Sequence, residues 1–389
     1  MRITFVSGNY PAPCRPERGT FVQQFVWAMA RQGNECSVIN PTRVFDRRYG
    51  PYPAPHAVEG SDSGPGVHVY RPMCMTFSSR DFGWMHTDHW TQRSLNLVVK
   101  RAIHELPSKP DLIYGHFLYH GGRAAVVAGR DLGVPSVVGV GEGTFWTVDA
   151  FGFERARKDF APAGGFLAVA SHIRHGLISR VGVPPSKILL APNGVDPRQF
   201  FHSDRGQARV RLGLPPEMFI IAFVGAFDDL KGGAELVAAV GGMEGTGLVM
   251  IGQGEKTFKT DKIVHSGSVR HGEVATWLNA ANIFALPTRE EGSCNAVIEA
   301  MACGLPIVTS SGNYMDDIVD DEVALRVDPC DVGAIREAIL ALRNDDVRCR
   351  RMSEACLKKA AQFDINERAR RVTEWMEGLS RRHREEGLS

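Results

Sequence analysis

Short runs of Val, Ile, Leu and Phe recur along the whole chain, each followed by a stretch of helical spacing, and this alternation narrows the fold more than any other feature. Near-continuous apolar runs mark strands buried on both faces, which parallel sheets flanked by helices require. The first series reads as strands at residues 3–7, 37–40, 111–114, 136–140 and 166–170, with a helix over 20–32. A second series starts at 219 and continues at 248–251, 263–266, 283–286 and 307–310, separated by helices near 233–240, 272–280, 295–301 and 332–342. Two doubly wound domains are predicted, over 1–192 and 193–363, with the boundary at APNGVDPRQF, where Pro192, Asn193, Gly194 and Pro197 are turn residues. A charged helix over 364–386 follows and can pack back on the first domain. Between Pro41 and Gly66 the chain is rich in Pro and Gly without periodicity, which reads as a long surface loop. Open parallel sheets bind ligands at the carboxyl ends of their strands, so the site is expected between the two domains.

A chain of 389 residues, 43% hydrophobic and 23% charged, can bury two such cores. Lys plus Arg number 45 and Asp plus Glu 44, so no global charge draws the chain to nucleic acid. The halves differ: residues 1–192 carry 21 basic and 14 acidic side chains, residues 193–389 carry 24 and 30, and different partners are expected for each. The eight cysteines form no C-x-x-C pair, and MRITFVSG moves straight into a strand without a signal-peptide layout, which reads as a reducing, cytoplasmic compartment. No apolar run approaches the roughly 20 residues that span a bilayer.

The segment ALPTREEGSCNAVIEAMACGLPIVTS, residues 285–310, carries the most chemistry. A strand ends at Pro287, a loop brings Glu290, Glu291 and Gly292, and a helix begins near Cys294 or Asn295. A helix start presents unpaired N–H groups and the positive end of its dipole, so Ser293, Cys294 and Asn295 form a candidate anion site. Glu299, about one turn inside the helix, can accept hydrogen bonds from the vicinal hydroxyls of a ribose. Glu291, in the loop, would reach the hydroxyls of a second sugar beyond the phosphates.

Here the sequence resembles the retaining glycosyltransferases of the GT-B fold, of the large family 4 type that includes polysaccharide and glycolipid transferases such as those for teichuronic acid. Glu291 and Glu299 match both glutamates of the family's E-x7-E motif, and EAMACGLPIV continues the match. VASHIRHGLISRVGVPPSKILLAPNGVD, residues 169–196, resembles the family's interdomain segment, and YPAPCRPERGTFVQQFVWAMARQG, residues 10–33, the first loop and helix of members that build cell-surface polysaccharides. The resemblance implies two Rossmann-like domains facing a cleft, the first binding the acceptor and the second the nucleotide-sugar donor, with Gly292 among the donor contacts. It implies that Lys231, in VGAFDDLKGG, neutralises the donor diphosphate. The family usually has an arginine five residues earlier; this chain has Ala226, which removes a bidentate phosphate partner. Arg289, Arg15 and Arg18 are candidates to stand in, unless each is an ordinary surface arginine.

His116, after the strand DLIYG, matches a histidine near the reacting sugar, where it would orient the sugar by a hydrogen bond; a packed or capping histidine is the other reading. Gly19 and Thr20 are expected to bring N–H groups to the phosphates or acceptor, or else to be a turn and an ordinary N-cap. Glu142, in GVGEGTFW, stands where many relatives read His-Gly-Ser-Asp and is a candidate acceptor contact. Gly252 in IGQG, with Val269 and Arg270, is expected to line the base pocket. The catalytic candidates are therefore Glu291, His116 and Lys231.

Neither a divalent metal nor a cofactor is expected. Asp228-Asp229 and Asp316-Asp317 read as turn and surface pairs, and His116 and His120 lack a third ligand. Retention, by the resemblance, follows front-face attack, in which the leaving phosphate oxygen takes the acceptor proton. The segment 71–93 gathers Met73, Met75, Phe77, Phe82, Trp84, Met85 and Trp90 among arginines and histidines. It reads equally as a peripheral contact with a membrane holding a lipid-linked acceptor, as a loop over the acceptor, or as buried packing. The expected function is transfer of a sugar, from a UDP-sugar above other nucleotide diphosphate sugars, to a hydroxyl of a surface glycan or glycolipid, in the cytoplasm or at the inner face of the membrane. The alternatives are a non-catalytic subunit of a glycan-synthesis complex, opened by Ala226, and a sugar-nucleotide epimerase of the same fold. A dehydrogenase is disfavoured, because no G-x-G-x-x-G follows the first strand.

Overall fold

The computed structural model describes residues 1–13, 15–44, 52–61, 64–77 and 87–386. The chain divides into two compact units, Met1–Pro192 with Ile365–Ser389, and Asn193–Asp364. The strands of the first unit are β1 (Arg2–Val6), β2 (Glu35–Ile39), β3 (Thr42–Arg43), β4 (His56–Ser61), β5 (Gly64–Tyr70), β6 (Met73–Cys74), β7 (Leu112–His116), β8 (Ser136–Val140), β9 (Gly165–Ala168) and β10 (Ile188–Leu190). Its helices are α1 (Thr20–Arg31), α2 (Asp88–His104), α3 (Arg123–Leu132), α4 (Trp146–Phe151), α5 (Phe153–Phe160) and α6 (Ser171–Gly176). The second unit holds α7 (Arg205–Leu212), β11 (Phe219–Val224), α8 (Gly233–Val240), β12 (Thr246–Ile251), β13 (Ile263–Gly267), α9 (His271–Ala280), β14 (Ile283–Leu286) and α10 (Asn295–Ala302). It closes with β15 (Ile307–Ser310), β16 (Ala324–Val327), α11 (Val332–Arg343) and α12 (Asp346–Ala360), and the final helix, α13 (Ile365–Glu386), returns to the first unit.

The first sheet has the order β10-β9-β8-β7-β1-β2-β5-β4, parallel throughout except for β4 on β5, while β3 and β6 pair separately. The second has the order β13-β12-β11-β14-β15-β16 and is entirely parallel, the strand order of dinucleotide-binding folds. In both sheets the order reverses beside the unit's first strand, between β1 and β7 and between β11 and β14. Loops leaving the carboxyl ends on either side of such a reversal diverge and open a crevice.

The strands are apolar because both faces are covered. Every residue of β8, β12, β14 and β15 is buried. Helix α13 puts Ala369, Val372 and Met376 into the first unit's core with Phe25 and Met29, and its Arg368 guanidinium lies 4.3 Å from the centre of the Phe25 ring.

The long loop expected between Pro41 and Gly66 is corrected. Strand β4 lies there and pairs antiparallel with β5, as the edge of the sheet. An edge strand buries little of either face, so HAVEGS carries no apolar run, and its order comes from the backbone ladder. Residues 45–51 and 62–63 of that stretch, Cys14, and Phe82, Trp84 and Met85 of the aromatic segment lie outside the described residues.

Candidate active site

In the second unit the two loops at the reversal point are joined by a lysine and a glutamate. After β11 the chain turns through residues 225–232. Asp228 shapes that turn, its Oδ1 accepting the N–H groups of Leu230 and Lys231 at 3.0 Å each. Gly232, at φ +69°, then starts α8, and a Cβ there would stand 2.1 Å from the carbonyl oxygen of Pro287. That contact brings the turn against the end of β14. Lys231 Nζ donates to Glu291 Oε1 at 2.6 Å, with both side chains mostly buried. Burial pushes the Lys231 ammonium down, but the Glu291 carboxylate outweighs it and the lysine is held above its ordinary value. The lysine therefore keeps its charge at neutral pH.

Cys294 caps α10 and its Sγ lies 3.5 Å from Glu291 Oε1; no side-chain hydrogen bond closes the first turn of the helix. The Ser293 and Asn295 side chains are engaged by Asn193. Ser293 Oγ accepts the N–H of Asn193 at 3.1 Å, and Asn193 Nδ2 donates to Asn295 Oδ1 at 2.9 Å. What this helix start offers an anion is its backbone. Glu299 sits one turn further in, half-buried, its carboxyl group without a hydrogen-bond or ion-pair partner among the described residues; burial pushes that carboxyl up to about 8.

Gly252, at φ +150°, follows β12, and a Cβ there would meet the carbonyl oxygen of Gly225 at 1.9 Å. Its N–H donates to Gly267 at 3.1 Å, so the ends of β11, β12 and β13 lie together. Val269 packs on the core, whereas Arg270 is exposed and donates to Glu273 Oε1 at 2.6 Å. Arg289 Nη2 donates to Glu235 Oε1 at 2.5 Å and its Nη1 to the Asp229 carbonyl, so this candidate replacement for an arginine at 226 is tied to α8 and the turn before it. Arg18 Nε donates to Asn9 Oδ1 at 3.0 Å.

In the first unit, β7 ends at His116. Phe117 and His120 both take positive φ, of 66° and 60°, strained values for residues with a Cβ. Gly121 and Gly122 allow this fold: a Cβ on them would meet the carbonyl oxygens of His116 and Phe117 at 2.4 and 2.3 Å. Glu142 Oε1 holds the segment by accepting the Leu118 N–H at 2.6 Å, and burial pushes its carboxyl up to about 7. His116 Nδ1 lies 3.4 Å from the Tyr114 hydroxyl, and its ring is 5.4 Å from that of Phe21 in α1. Its Nε2 is buried without a partner, and burial, aided by Arg368, pushes the imidazole down to about 3, so it is neutral. His120 turns away, its Nε2 3.2 Å from Asp88 Oδ1. Gly19, at φ +72°, caps α1 with Thr20 as the first helical residue, and no side chain caps that turn. Gly19, Thr20, His116 and Glu142 thus gather around the reversal point of this sheet. Asp228 and Asn193 were readable in sequence only as turn residues, because their partners are side-chain and backbone groups that periodicity does not predict.

Two units, each built on a parallel sheet whose strand order reverses, have the architecture of the GT-B fold. A model described as Glycosyltransferase Family 4 matches residues 19–199, and one described as Glycosyl transferases group 1 matches residues 219–345. The chain belongs to these glycosyltransferases. TuaC of Bacillus subtilis (strain 168), named as a teichuronic acid biosynthesis glycosyltransferase, is 25% identical over 388 residues, which cover 95% of this chain and 96% of TuaC. A D-inositol 3-phosphate glycosyltransferase 1 of Catenulispora acidiphila is 27% identical over 318 residues, 75% of this chain and 71% of that one. Among solved structures, sucrose-phosphate synthase from Thermosynechococcus elongatus matches with a TM-score of 0.77 at 18% identity, over 97% of this chain and 99% of that one. Anabaena HepE, in complex with UDP and glucose, matches with a TM-score of 0.69 at 16% identity, over 97% and 100%. These structures share the fold.

Proposed function

We propose that this chain is a retaining glycosyltransferase that moves a sugar from a UDP-sugar to a hydroxyl of a surface glycan or glycolipid. The observation that carries the reading is the Lys231–Glu291 pair, 2.6 Å apart beside the uncapped start of α10. The diphosphate takes the Lys231 ammonium, the N–H groups of Gly292, Ser293 and Cys294 just before α10, and those of the helix's first turn. Glu291, released from the lysine, accepts from hydroxyls of the transferred sugar, and the partnerless Glu299 accepts from the ribose. The base lies against the backbone at Gly252, Val269 and Arg270. The first unit takes the acceptor, with Gly19 and Thr20 near it, Glu142 holding the loop, and His116 Nε2 orienting the donor sugar.

In the reaction the bond from the anomeric carbon to the leaving phosphate oxygen breaks. The acceptor oxygen bonds to that carbon on the same face, and its proton passes to the departing phosphate oxygen. With Lys231 and the helix start neutralising the diphosphate, no divalent ion is required, and turnover is expected to survive EDTA. UDP is favoured because HepE, of the same fold, is described with UDP and glucose, and a glycan acceptor because TuaC is named for teichuronic acid synthesis. Action in the cytoplasm, where nucleotide sugars are the available donors, completes the reading.

The test is calorimetric titration with UDP and GDP, then transfer from a panel of nucleotide sugars to a cell lipid extract with the products read by mass spectrometry. Glu299→Ala and Lys231→Ala should weaken UDP binding and slow transfer sharply; unchanged binding and transfer in both would defeat the site assignment. Ala226, together with the engagement of Arg289 by Glu235, favours one second reading, a non-catalytic subunit. Such a subunit would bind neither nucleotide, and an epimerase would change the donor without any acceptor.

A further inference from the structure

We infer that the first unit docks on an anionic lipid surface through the face built from β3, β6, the segment after β6, and α2. Strand β6 pairs with β3, Arg43 opposite Cys74, and the chain then runs along α2. The Met75 N–H donates to Ser94 Oγ at 3.2 Å and the Phe77 N–H to Thr91 Oγ1 at 2.9 Å, so side chains one helical turn apart hold the segment in place. Cys74 points inward and is buried, while Met73, Met75 and Phe77 stay exposed. Helix α2 adds Trp90, 54% exposed, and Leu97, 66% exposed, two turns apart on one side. The Phe77 and Trp90 rings meet edge to face at 5.8 Å. Five large apolar side chains on adjoining elements are more than the scattered apolar residues any surface carries.

The charge around them selects the occupant. Residues 41–44, 71–77 and 89–104 contain no Asp or Glu. The Arg43 and Arg93 side chains are exposed and make no hydrogen bond or ion pair among the described residues, whereas Lys100 is paired with Asp131 at 2.6 Å and Arg101 with Glu105 at 2.9 Å. A second copy of this chain is a poor occupant, because a two-fold interface would set these arginines against themselves. Apolar side chains bordered by the unpaired Arg43 and Arg93 suit a bilayer with anionic headgroups, where the apolar groups enter the headgroup boundary and each free cation adds electrostatic attraction. No helix of the described residues is long and apolar enough to cross a membrane, so the contact is peripheral. The inference deepens the proposed glycolipid acceptor, and its test needs neither donor nor acceptor.

Flotation with vesicles of phosphatidylcholine alone, and of phosphatidylcholine mixed with phosphatidylglycerol, supplies the measurement. The chain is expected to float with the anionic vesicles and not the neutral ones, and less well as salt is raised. Arg93→Glu should weaken partitioning by at least about fivefold, the worth of one surface cation. The double variant Trp90→Ser with Leu97→Ser should weaken it by more than about tenfold. Retained UDP binding and an unchanged melting temperature in the same variants separate loss of docking from misfolding and from failure of the donor reading. Equal flotation of variants and parent, or no affinity for anionic vesicles, overturns the inference. So does size-exclusion evidence that the face joins two copies and that the double variant merely separates them.

Discussion

Lys231 and Glu291 lie 60 positions apart in sequence and are joined by one hydrogen bond. In the proposed function a donor diphosphate competes with Glu291 for the lysine, so each residue has two states to serve. On that reading, removing Lys231 leaves a mostly buried Glu291 side chain facing the phosphates, and Lys231→Ala should cut transfer by about 10²- to 10³-fold, measured as kcat/KM for the UDP-sugar. Glu299 makes a pH prediction. Its carboxyl keeps its proton up to about 8 in the folded protein but releases it near 4.5 when unfolded. The folded state therefore binds more protons between those values, and this group's contribution to stability falls as pH rises from about 4.5 to about 8. Glu299→Gln should flatten that part of a melting-temperature profile, and UDP binding by the parent should tighten as pH passes through about 8. His116 is neutral well below physiological pH, so His116→Ala should lower kcat about tenfold or more without removing a limb from the pH–rate profile. The places of Glu291 and Glu299 on a loop and a helix are legible from local spacing, and Lys231 from the resemblance in VGAFDDLKGG. The Lys231–Glu291 ion pair, and the Asn193 bridge to Ser293 and Asn295, are not, because both depend on which loops the sheet order brings together.

Elements follow the same rule. Strands buried on both faces announced themselves, down to the ends of β8 and β14, because burial there leaves only apolar residues in sequence. Strand β4 was illegible since the edge of a sheet asks little of its side chains, and α5 and α12 passed unnoticed since each buries only a narrow stripe beneath charged residues. The β11–α8 turn is the most demanding connection. Gly232 combines a left-handed backbone with contact against Pro287, so neither rotation nor retreat is open to a larger residue. Gly232→Ala should cost about 1–3 kcal/mol or more, seen as a lower melting temperature, and should displace Lys231 enough to weaken UDP binding.

At the scale of the whole molecule, the first unit is made from both ends of the chain and the second is inserted within it. Counted this way, the first unit carries 27 basic and 19 acidic residues and the second 18 and 25, a wider contrast than halving the sequence gives. The chain enters and leaves the inserted unit side by side, the Val195 N–H donating to the Phe363 carbonyl at 2.8 Å. Residues 193–364 produced alone should therefore melt cooperatively and bind UDP, as calorimetry can show. Removal of α13 should instead lower the melting temperature of the first unit, whose Phe25 and Met29 would lose Ala369, Val372 and Met376 as neighbours. Synthesis imposes an order on these parts. A ribosome completes the inserted unit before it makes the helix that the earlier-made unit is waiting for, so the half that folds last is the half translated first. A premature stop just beyond Asp364 would spare the later half and leave the earlier one exposing its unfinished core to chaperones and proteases.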